Sequence, residues 1–315
     1  MRGIFLDATD DMAAVFRRVT QSAPPDAGAL ASDGPMPSID LRVDGDVPPE
    51  ALPGLLAGYG LVMIDHTALP TGAMRRCPDL RHVVFLGTGA RSYMNPEELA
   101  ALGITVHVIR GYGDTAVAEH AIALMWAAAR DLAVMDRGVR DGGWPRTEGR
   151  QLTGRTIGLL GVGGIGAEVA RIAGGSGMRV LAWNRTPRET PGVRFADLDT
   201  VLAESDVLSL HLLLTEETRG LLSAARIARM RPGAILVNTA RAALVDEAAM
   251  VAALRAGRIG HAALDVFLEE PLPVGHVLTT LPNVTLSAHS AFRTPEASET
   301  LLRRGLDIAR RLGTE

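Results

Sequence analysis

The sequence predicts an α/β protein with two domains, and three observations support that prediction. Short apolar runs alternate with helical segments along most of the chain, which is typical of parallel sheets covered by helices. The 315 residues are enough for two separate hydrophobic cores. A glycine-rich loop follows one apolar run near the middle of the chain and opens a helical segment. We therefore expect two parallel-sheet domains.

Composition limits the classes of function. The chain is 47% hydrophobic and 22% charged, as in a folded globular protein, and its net charge of −4 provides no basic field for nucleic acid. No apolar run approaches about 18 residues, and Asp7 follows the first apolar run too soon for a signal peptide. One cysteine, Cys77, excludes an internal disulfide and a cysteine-cluster metal site. We expect a cytoplasmic protein with no metal, membrane or nucleic-acid partner.

The basic residues narrow the chemistry further. All 32 are arginines, and the chain contains no lysine. Schiff-base catalysis, a P-loop lysine and attachment of pyridoxal phosphate all need a lysine. The sequence therefore excludes these three chemistries.

Residues 1–113 read as the smaller α/β domain. Residues 21–38 are rich in Pro, Gly, Ala and Ser, which is typical of a loop. The predicted strands are 3–7, 39–43, 60–65, 81–86 and 105–109. The predicted helices are 11–19, 50–57, 72–76 and 96–102, the last behind Asn95 as its N-cap.

The segment from Thr115 to Arg130 is a predicted helix that is apolar on almost every side. Such a helix is buried on several sides. This pattern favours a homodimer with the helix at the subunit interface. The alternative is a helix that lies wholly within one core.

The alternation resumes in the second half of the chain. Six strands are predicted, at 156–160, 179–183, 206–211, 234–238, 261–264 and 284–287, the number in a full dinucleotide-binding sheet. Helices are predicted at 167–173, 223–230 and 246–256, the last ended by Gly257. A final helix, 295–312, is expected to cross back to the first domain. We predict a smaller domain of residues 1–113 with 290–315 and a larger one of residues 114–289.

The glycine loop has the spacing G-x-G-x-x-G between a strand and a helix, which is the dinucleotide-binding arrangement. Gly161 permits the tight turn, Gly163 lets backbone approach a pyrophosphate, and Gly166 lets the helix pack close to the strand. Gly164 and Ile165 open the helix, whose free N–H groups suit phosphate. The larger domain is therefore predicted to be a Rossmann domain. The alternative is a glycine-rich turn without a ligand.

The end of the second strand of this unit indicates which dinucleotide binds. A carboxylate there binds the ribose 2′-hydroxyl and repels a 2′-phosphate. This chain has Asn184, Arg185 and Thr186 instead. A guanidinium without a neighbouring carboxylate suits a phosphate, so NADP is favoured over NAD. The alternative is an arginine that only faces solvent.

Polar residues follow three later strands of the same domain. Asn238-Thr239-Ala240-Arg241 follow one strand, Asp265 and Glu270 follow the next, and His289 follows the last. Ligands of open parallel sheets bind outside the carboxyl ends of the strands. We therefore expect arginine, carboxylates and histidine at one edge of the sheet, beside the cofactor.

These motifs resemble the D-isomer-specific 2-hydroxyacid dehydrogenases. The resemblance covers nearly the whole chain and is clearest from Val117-Ala118-Glu119-His120 onward. It is carried by the glycine loop, by Met230 to Arg241 (MRPGAILVNTAR), by Ala263-Leu264-Asp265-Val266-Phe267 with Glu269-Glu270-Pro271, and by His289. It implies a Rossmann domain, a smaller flavodoxin-like parallel α/β substrate domain, and hydride transfer between NAD(P) and a small 2-oxo or 2-hydroxy acid.

The resemblance also implies roles for individual residues. His289 would be the general acid–base, Glu270 would raise its pKa, and Arg241 would bind the substrate carboxylate and polarise the carbonyl. Asp265 would contact the nicotinamide carboxamide. The family also implies cofactor contacts at His211, Thr239 and Ala240, and substrate contacts at Gly87, Thr88 and Gly89.

The chain departs from the family pattern at several positions. Ala242 replaces a glycine, and Leu213 and Ala288 replace prolines. The loop after Gly89 reads Ala90-Arg91-Ser92-Tyr93-Met94, without the usual acidic residue. Arg91 and Tyr93 either recognise an unusual acid or simply pack on the surface.

Two alternatives stay open. The first is a dinucleotide-sensing regulator similar to the C-terminal-binding corepressors. The second is formate or phosphite oxidation on the same scaffold, which Glu270 disfavours because formate-oxidising relatives resemble a glutamine–histidine pair at that point.

Overall fold

The computed structural model describes residues 1–21, 38–43, 45 and 47–313. Apart from its two ends, the loop predicted at 21–38 lies outside these residues. The chain divides into two compact units, which we call unit 1 (Met1–Gly113 with Arg293–Glu315) and unit 2 (Asp114–Phe292).

The strands of unit 1 are β1 (Gly3–Phe5), β2 (Ile39–Leu41), β3 (Leu61–Ile64), β4 (His82–Phe85) and β5 (Thr105–Val108). Those of unit 2 are β6 (Thr156–Leu160), β7 (Arg179–Trp183), β8 (Val193–Phe195), β9 (Val207–Leu210), β10 (Ala234–Asn238), β11 (Ile259–Leu264) and β12 (Val284–Leu286).

The helices are given in chain order. The first six are α1 (Asp10–Gln21), α2 (Leu52–Leu55), α3 (Thr71–Met74), α4 (Pro96–Ala101), α5 (Asp114–Ala129) and α6 (Leu132–Arg140). The others are α7 (Gly164–Gly175), α8 (Leu198–Glu204), α9 (Ala224–Ile227), α10 (Glu247–Arg255), α11 (Val277–Thr280) and α12 (Pro295–Gly313).

Unit 1 is built on a five-stranded parallel sheet with the order β2-β1-β3-β4-β5. This is the flavodoxin-like order, as predicted. All four residues of β3 are buried, because helices cover both faces of a parallel sheet. On one face α12 packs against α1, where Leu302 and Leu306 share a hydrophobic cluster with Phe16. The predicted return of the C-terminal helix to the first unit is therefore present.

Two helices of unit 1 show how local sequence sets the helix ends. Asn95 caps α4, since its Oδ1 accepts hydrogen bonds from the N–H groups of Glu97 (3.2 Å) and Glu98 (3.3 Å). The helix predicted at 50–57 is shorter in the structure, beginning at Leu52 and ending at Leu55. Pro53 lies in its first turn, the part of a helix that tolerates a residue without an N–H.

Unit 2 contains a seven-stranded parallel sheet with the order β12-β11-β10-β9-β6-β7-β8. Counted from β6, this is the dinucleotide-binding order 3-2-1-4-5-6 with one further strand at the edge beyond β11. The prediction of six strands is wrong by one, because β8 was missed. That strand has three residues, pairs with β7 at the edge of the described sheet, and follows the turn-forming Thr190-Pro191-Gly192. It is too short to show a periodic pattern.

Three helices of unit 2 were also missed, namely α6, α8 and α11. Helix α8 is begun by Asp197, whose Oδ1 accepts the N–H of Thr200 at 2.9 Å. Helix α6 is amphipathic, and none of its residues is buried. Its apolar residues Leu132 and Val139 are exposed.

Helix α5 lies within the core of unit 2. It packs on α7, β10 and β11, and Ala121, Met125 and Ala128 are buried in the same hydrophobic cluster as residues of β6 and β10. Its apolar character is thus explained by one core. A subunit interface at this helix stays a prediction.

Candidate active site

The glycine loop joins β6 to α7, and two of its glycines are required by the chain itself. Gly161 has a φ of +99°, and a Cβ on it would lie 2.6 Å from the carbonyl oxygen of His211. A Cβ on Gly166 would overlap the carbonyl oxygen of Gly161. The turn and the close helix–strand packing that the sequence predicts are both present.

The next part of the loop is open. A Cβ on Gly163 would meet no atom within 4 Å, so its backbone is accessible from outside. Helix α7 starts at Gly164, and its first backbone hydrogen bond runs from the N–H of Ala167 to the oxygen of Gly163 at 2.9 Å. The N–H groups of the preceding residues, including Ile165, are those that a helix leaves without internal acceptors. A Cβ on Gly164 would overlap the carboxylate of Asp114.

The residues around this loop fit a dinucleotide. A helix N-terminus with accessible N–H groups suits a pyrophosphate. Thr239, at the end of β10, is buried, and its Oγ1 has no hydrogen-bond partner among the described residues. A buried hydroxyl of this kind usually has a partner, and a bound ligand would provide one.

In the segment after β7, Asn184 holds the glycine loop, whereas Arg185 and Thr186 are exposed. Asn184 accepts a hydrogen bond from the N–H of Val162 (2.7 Å) and donates one to the Val162 oxygen (3.3 Å). The guanidinium of Arg185 pairs with Glu217 at 2.6 Å, and both side chains are exposed. Thr186 is exposed as well. The sequence predicted neither the hydrogen bonds of Asn184 to the glycine loop nor the ion pair of Arg185 with Glu217.

His211 follows β9 and stays close to the glycine loop. Its N–H donates to the oxygen of Leu160 at 2.8 Å, and its Nε2 lies 2.9 Å from the Ser209 hydroxyl. Desolvation by burial lowers the pKa of His211 to about 4. The imidazole is therefore neutral at pH 7.

Arg241 is placed by an asparagine at the end of β10. Asn238 is 2% exposed. It accepts the N–H of Ala240 (3.0 Å) and donates to the oxygen of Arg241 (3.0 Å), which is the turn-forming chemistry of this side chain. The Arg241 guanidinium is partly buried and donates to the Ala240 oxygen at 2.6 Å. The position of Asn238 at the end of an apolar run was the feature of the sequence that could have predicted this turn.

His289 and Glu270 form a direct pair. His289 Nδ1 lies 2.6 Å from Glu270 Oε2, and both side chains are partly exposed. The other oxygen of Glu270 accepts the N–H of Phe267 at 2.8 Å. Because an ionised carboxylate only accepts hydrogen bonds, Nδ1 carries a proton here and Nε2 is the nitrogen that can exchange one. The pairing predicted for these residues is present.

Asp265 is fully buried and anchors the loop that carries His289. Its carboxylate accepts hydrogen bonds from the hydroxyl of Ser287 (2.6 Å) and from the N–H groups of Ser290 (3.1 Å) and Ala291 (3.0 Å). Burial alone would raise the pKa of the Asp265 carboxyl, but these bonds, with His120 nearby, outweigh burial and lower it. The carboxylate is fully buried among the described residues, and its contact with a nicotinamide carboxamide stays a prediction.

The parallel register brings these segments to one edge of the unit 2 sheet. Strand β10 pairs with β11, and β11 pairs with β12. The ladder continues past the strand ends, since the N–H of Asp265 donates to Asn238 (3.0 Å) and that of Ser287 to Leu264 (2.9 Å). Arg241, Glu270 and His289 therefore follow three neighbouring strands, as predicted.

The predicted substrate loop of unit 1 follows β4. Gly87 donates its N–H to Phe85 at 2.9 Å. Thr88 is exposed, and among the described residues no acceptor is found for the N–H groups of Thr88 and Gly89. The geometry leaves two donors for a ligand.

The unusual residues after this loop serve packing and surface pairing. The Arg91 guanidinium is bound by the carboxylate of Glu97, and both are exposed. The ring of Tyr93 packs on Phe85 with centroids 5.3 Å apart. The sequence left two interpretations open, and these contacts favour surface packing over recognition of an unusual acid.

Comparisons with known proteins agree with this geometry. The family model described as "D-isomer specific 2-hydroxyacid dehydrogenase, NAD binding domain" matches residues 122–291. Over 263 residues the chain is 35% identical to glycerate dehydrogenase of Methylorubrum extorquens, covering 80% of this chain and 82% of that protein. The chain belongs to the D-isomer-specific 2-hydroxyacid dehydrogenase family.

Two further relatives support the assignment. Glyoxylate reductase of Aeropyrum pernix is 40% identical over 252 residues, covering 76% of this chain and 74% of that protein. The apo-structure of D-lactate dehydrogenase from Escherichia coli superposes with a TM-score of 0.86 at 27% identity, covering 100% of this chain and 97% of that chain. The predicted family, the fold class and an oxidoreductase acting on CH–OH groups are confirmed.

The family match covers the glycine loop and the strand ends of this dehydrogenase but not Gly87–Gly89. In the part of the chain that the structure describes, no group of three or more His, Cys, Asp or Glu side chains could hold a metal ion. No helix among those residues is both long and apolar enough to cross a membrane.

Proposed function

We propose that this dehydrogenase is an NAD(P)H-dependent reductase of small 2-oxo acids that yields D-2-hydroxy acids. The observation that carries the proposal is the His289–Glu270 pair at 2.6 Å. It lies at the same sheet edge as Arg241 and the glycine loop. An acid–base histidine, a guanidinium and a nucleotide loop at one edge are the groups that reduction of a 2-oxo acid needs.

In this proposal Arg241 recognises the substrate. A guanidinium binds a carboxylate through two parallel charge-assisted hydrogen bonds. The turn made by Asn238 holds the backbone of Arg241, which limits the orientations of the guanidinium. Gly87, Thr88 and Gly89 remain the predicted substrate-binding residues of unit 1.

His289 supplies the proton. Glu270 accepts a hydrogen bond from the Nδ1–H group and holds the ring, so Nε2 faces the reacting group and gives its proton to the developing alkoxide oxygen of the substrate. In the reverse direction the same nitrogen removes the hydroxyl proton.

A bound nicotinamide dinucleotide supplies or accepts the hydride. The residues proposed to hold it are those of the glycine loop with His211, Thr239 and Ala240. We propose that NADPH is preferred over NADH, with Arg185 exchanging Glu217 for the 2′-phosphate. Support comes from the absence of a carboxylate among Asn184, Arg185 and Thr186. The Arg185–Glu217 contact weakens that preference, since the exchange gives up an existing ion pair.

Relatives guide the choice of substrate. The proteins compared above are named a glycerate dehydrogenase and a glyoxylate reductase. We propose a two- or three-carbon acid, such as glyoxylate or hydroxypyruvate, as the substrate class. Arg91 is paired with Glu97 and adds no second cationic contact for a larger acid.

The test measures reduction of glyoxylate, hydroxypyruvate and phenylpyruvate with NADPH and NADH separately, following loss of the reduced nicotinamide. His289→Ala should lower kcat by about 100- to 10,000-fold, and Arg241→Ala by about 100-fold or more. Arg194→Ala, which removes an exposed guanidinium on β8 of unit 2, is the control. Full activity of either site variant would overturn the mechanism. Cofactor binding without turnover of any acid would favour the dinucleotide-sensing alternative.

We also propose a homodimer in the cytoplasm. The predicted interface is the region of helix α5, and the exposed apolar residues that follow α5 in the chain are Leu132 and Val139 on α6 and the 78% exposed Trp144. Trp144→Ser should shift the mass in size-exclusion chromatography with light scattering from dimer to monomer. A wild-type monomer at micromolar concentration would reject the dimer.

A further inference from the structure

The structure assigns a positioning role to His120, which the family resemblance marks but leaves without a function. We infer that His120, acting through Ser287 and Asp265, holds the backbone of the loop from Ser287 to Ala291 and so keeps His289 in place for proton transfer. This inference rests on the proposed reductase function.

The first step is the contact between helix α5 and the end of β12. His120 Nε2 lies 2.9 Å from the Ser287 hydroxyl oxygen and 3.5 Å from Asp265 Oδ1. Along the chain, Ser287 lies 167 positions and Asp265 lies 145 positions from His120. Helix α5 is otherwise lined with apolar residues on its buried side, so this imidazole is a polar group set against a buried carboxylate.

The proton positions follow from the acceptor at the end of the chain. Asp265 is ionised, because its pKa is lowered, and an ionised carboxylate can only accept. The single hydroxyl proton of Ser287 therefore goes to Asp265, at 2.6 Å. The Ser287 oxygen is left as an acceptor, so His120 Nε2 carries a proton and donates a hydrogen bond to the Ser287 oxygen.

The second step connects Asp265 to His289. The carboxylate of Asp265 accepts the N–H groups of Ser290 and Ala291, and its carbonyl oxygen accepts the N–H of His289 at 2.8 Å. His289 has a φ of +47°, a left-handed conformation that is uncommon for a residue with a side chain. Such a conformation persists where surrounding contacts determine it, and Asp265 makes those contacts on both sides of His289.

Removal of His120 would therefore act at a distance. Ser287 would lose the donor that fixes its hydroxyl, and Asp265 would lose a proton-bearing neighbour. The loop would then sample backbone conformations that move His289 Nε2 away from the reacting oxygen. A misplacement of about 1 Å costs roughly 100-fold in rate, whereas the glycine loop would keep its geometry.

The experiment compares His120→Ala, Ser287→Ala, the double variant and the conservative His120→Gln, with Glu119→Ala as the control on the exposed side of the same helix. Steady-state kinetics with glyoxylate give kcat and KM, and fluorescence titration gives the Kd of NADPH. We expect kcat to fall about 10- to 100-fold in His120→Ala, with KM and the NADPH Kd within about 2-fold. The double variant should be no worse than the poorer single variant, since both act on one network.

His120→Gln separates positioning from packing. Its side-chain amide can donate to Ser287 as Nε2 does, so most of the lost kcat should return. A glutamine variant as slow as the alanine variant would overturn the inference. So would an unchanged kcat in His120→Ala, or a loss that appears in the NADPH Kd.

A readout without turnover distinguishes failure of this inference from failure of the proposed function. Hydrogen–deuterium exchange of a peptide spanning 284–292 reports the N–H groups of Ser290 and Ala291. His120→Ala should speed this exchange about 10-fold or more, and Glu119→Ala should not. Equal exchange in all variants overturns the positioning role, whether or not the wild type reduces an oxo acid. Faster exchange in a protein without turnover would retain the role and reject the activity.

Discussion

The glycine loop and the histidine loop of unit 2 both contain a residue with positive φ, but they stabilise it in different ways. Gly161 has a φ of +99° and needs no Cβ, because the carbonyl oxygen of His211 occupies that space. His289 has a φ of +47° and must keep its imidazole. Its loop is held instead by the buried carboxylate of Asp265.

The difference shows what each loop has to do. A loop that offers backbone N–H groups to a ligand can dispense with side chains, and glycine meets that need at low steric cost. A loop that presents a catalytic side chain cannot use glycine there. It requires hydrogen bonds from outside the loop to oppose the unfavourable backbone conformation.

The largest effect should come from breaking the anchor of the histidine loop. Asp265→Ala removes the acceptor of the partly buried N–H group of Ser290 and of the buried N–H group of Ala291, at about 1–3 kcal/mol each. We expect the free energy of unfolding to fall by about 4 kcal/mol in urea titrations. Asp246→Ala is the control, since Asp246 only caps α10 and should cost about 1 kcal/mol. Equal losses at both positions would show that the histidine loop does not depend on Asp265.

As the pH falls, protonation linked to His211, beside the glycine loop, should lower the free energy of unfolding first. Protonation of Asp265, which anchors the histidine loop, should lower it only at a more acidic pH. The pKa of His211 is about 4 in the folded protein and about 6.5 when unfolded, so unfolding takes up a proton between these values. The free energy of unfolding should therefore fall by up to about 3 kcal/mol from pH 7 to pH 4. Because the pKa of Asp265 is lowered, its contribution is lost only below about pH 4.

Urea titrations of the wild type and His211→Asn across this pH range check the difference. The pH dependence of the variant should be flatter between pH 6.5 and pH 4. His261, whose pKa is also lowered by burial, contributes with the same sign in both proteins and cancels in the comparison. Identical curves would show that His211 is not the titrating group.

The glycine loop itself is tested by adding one methyl group. Gly166→Ala places a Cβ on the carbonyl oxygen of Gly161, which should cost about 2 kcal/mol of stability and weaken NADPH binding by about 10-fold or more. Gly175→Ala lies in the same helix but meets no atom within 4 Å. That control should be neutral or stabilising by about 0.5 kcal/mol. Tight NADPH binding by Gly166→Ala would show that the loop tolerates the displacement.

The smallest effect is expected at the exposed pair beside the glycine loop. Arg185→Ala should reduce the ratio of kcat/KM for NADPH over NADH by less than about 10-fold, because exposed ion pairs contribute only about 0–1 kcal/mol. Glu217→Ala should raise that ratio by freeing Arg185. Arg194→Ala, in the exposed pair with Glu204, is the control. No change in either direction would remove Arg185 from cofactor selection.

Much of the site could be predicted because its signals are local. The glycine spacing lies within six residues, and Arg241, Glu270 and His289 follow apolar runs in parallel strands that end at one edge. The pairing of His289 with Glu270 spans 19 residues and was implied by the family resemblance. The strand β8 and the helix α6 were missed, since three residues or an exposed segment give little periodic signal.

Other features depended on contacts that no local pattern records. Arg185 and Glu217 are 32 residues apart, so the phosphate argument could not include the carboxylate. The apolar pattern of helix α5 would be the same whether the helix packs on its own sheet or on a second subunit. Its sequence could not distinguish these alternatives, whereas the structure shows that its buried side packs on α7, β10 and β11.

The parallel α/β architecture, the position of the nucleotide loop and the residue types at the strand ends could all be predicted from the order of the residues. These depend on hydrophobic periodicity and on backbone conformations that only certain residues adopt. The tertiary structure decided that Asp265 faces the protein interior, that His120 reaches it through Ser287, and that His289 is held in a left-handed conformation. Burial and hydrogen bonding between distant segments exist only once the chain has folded, so these assignments require the three-dimensional arrangement.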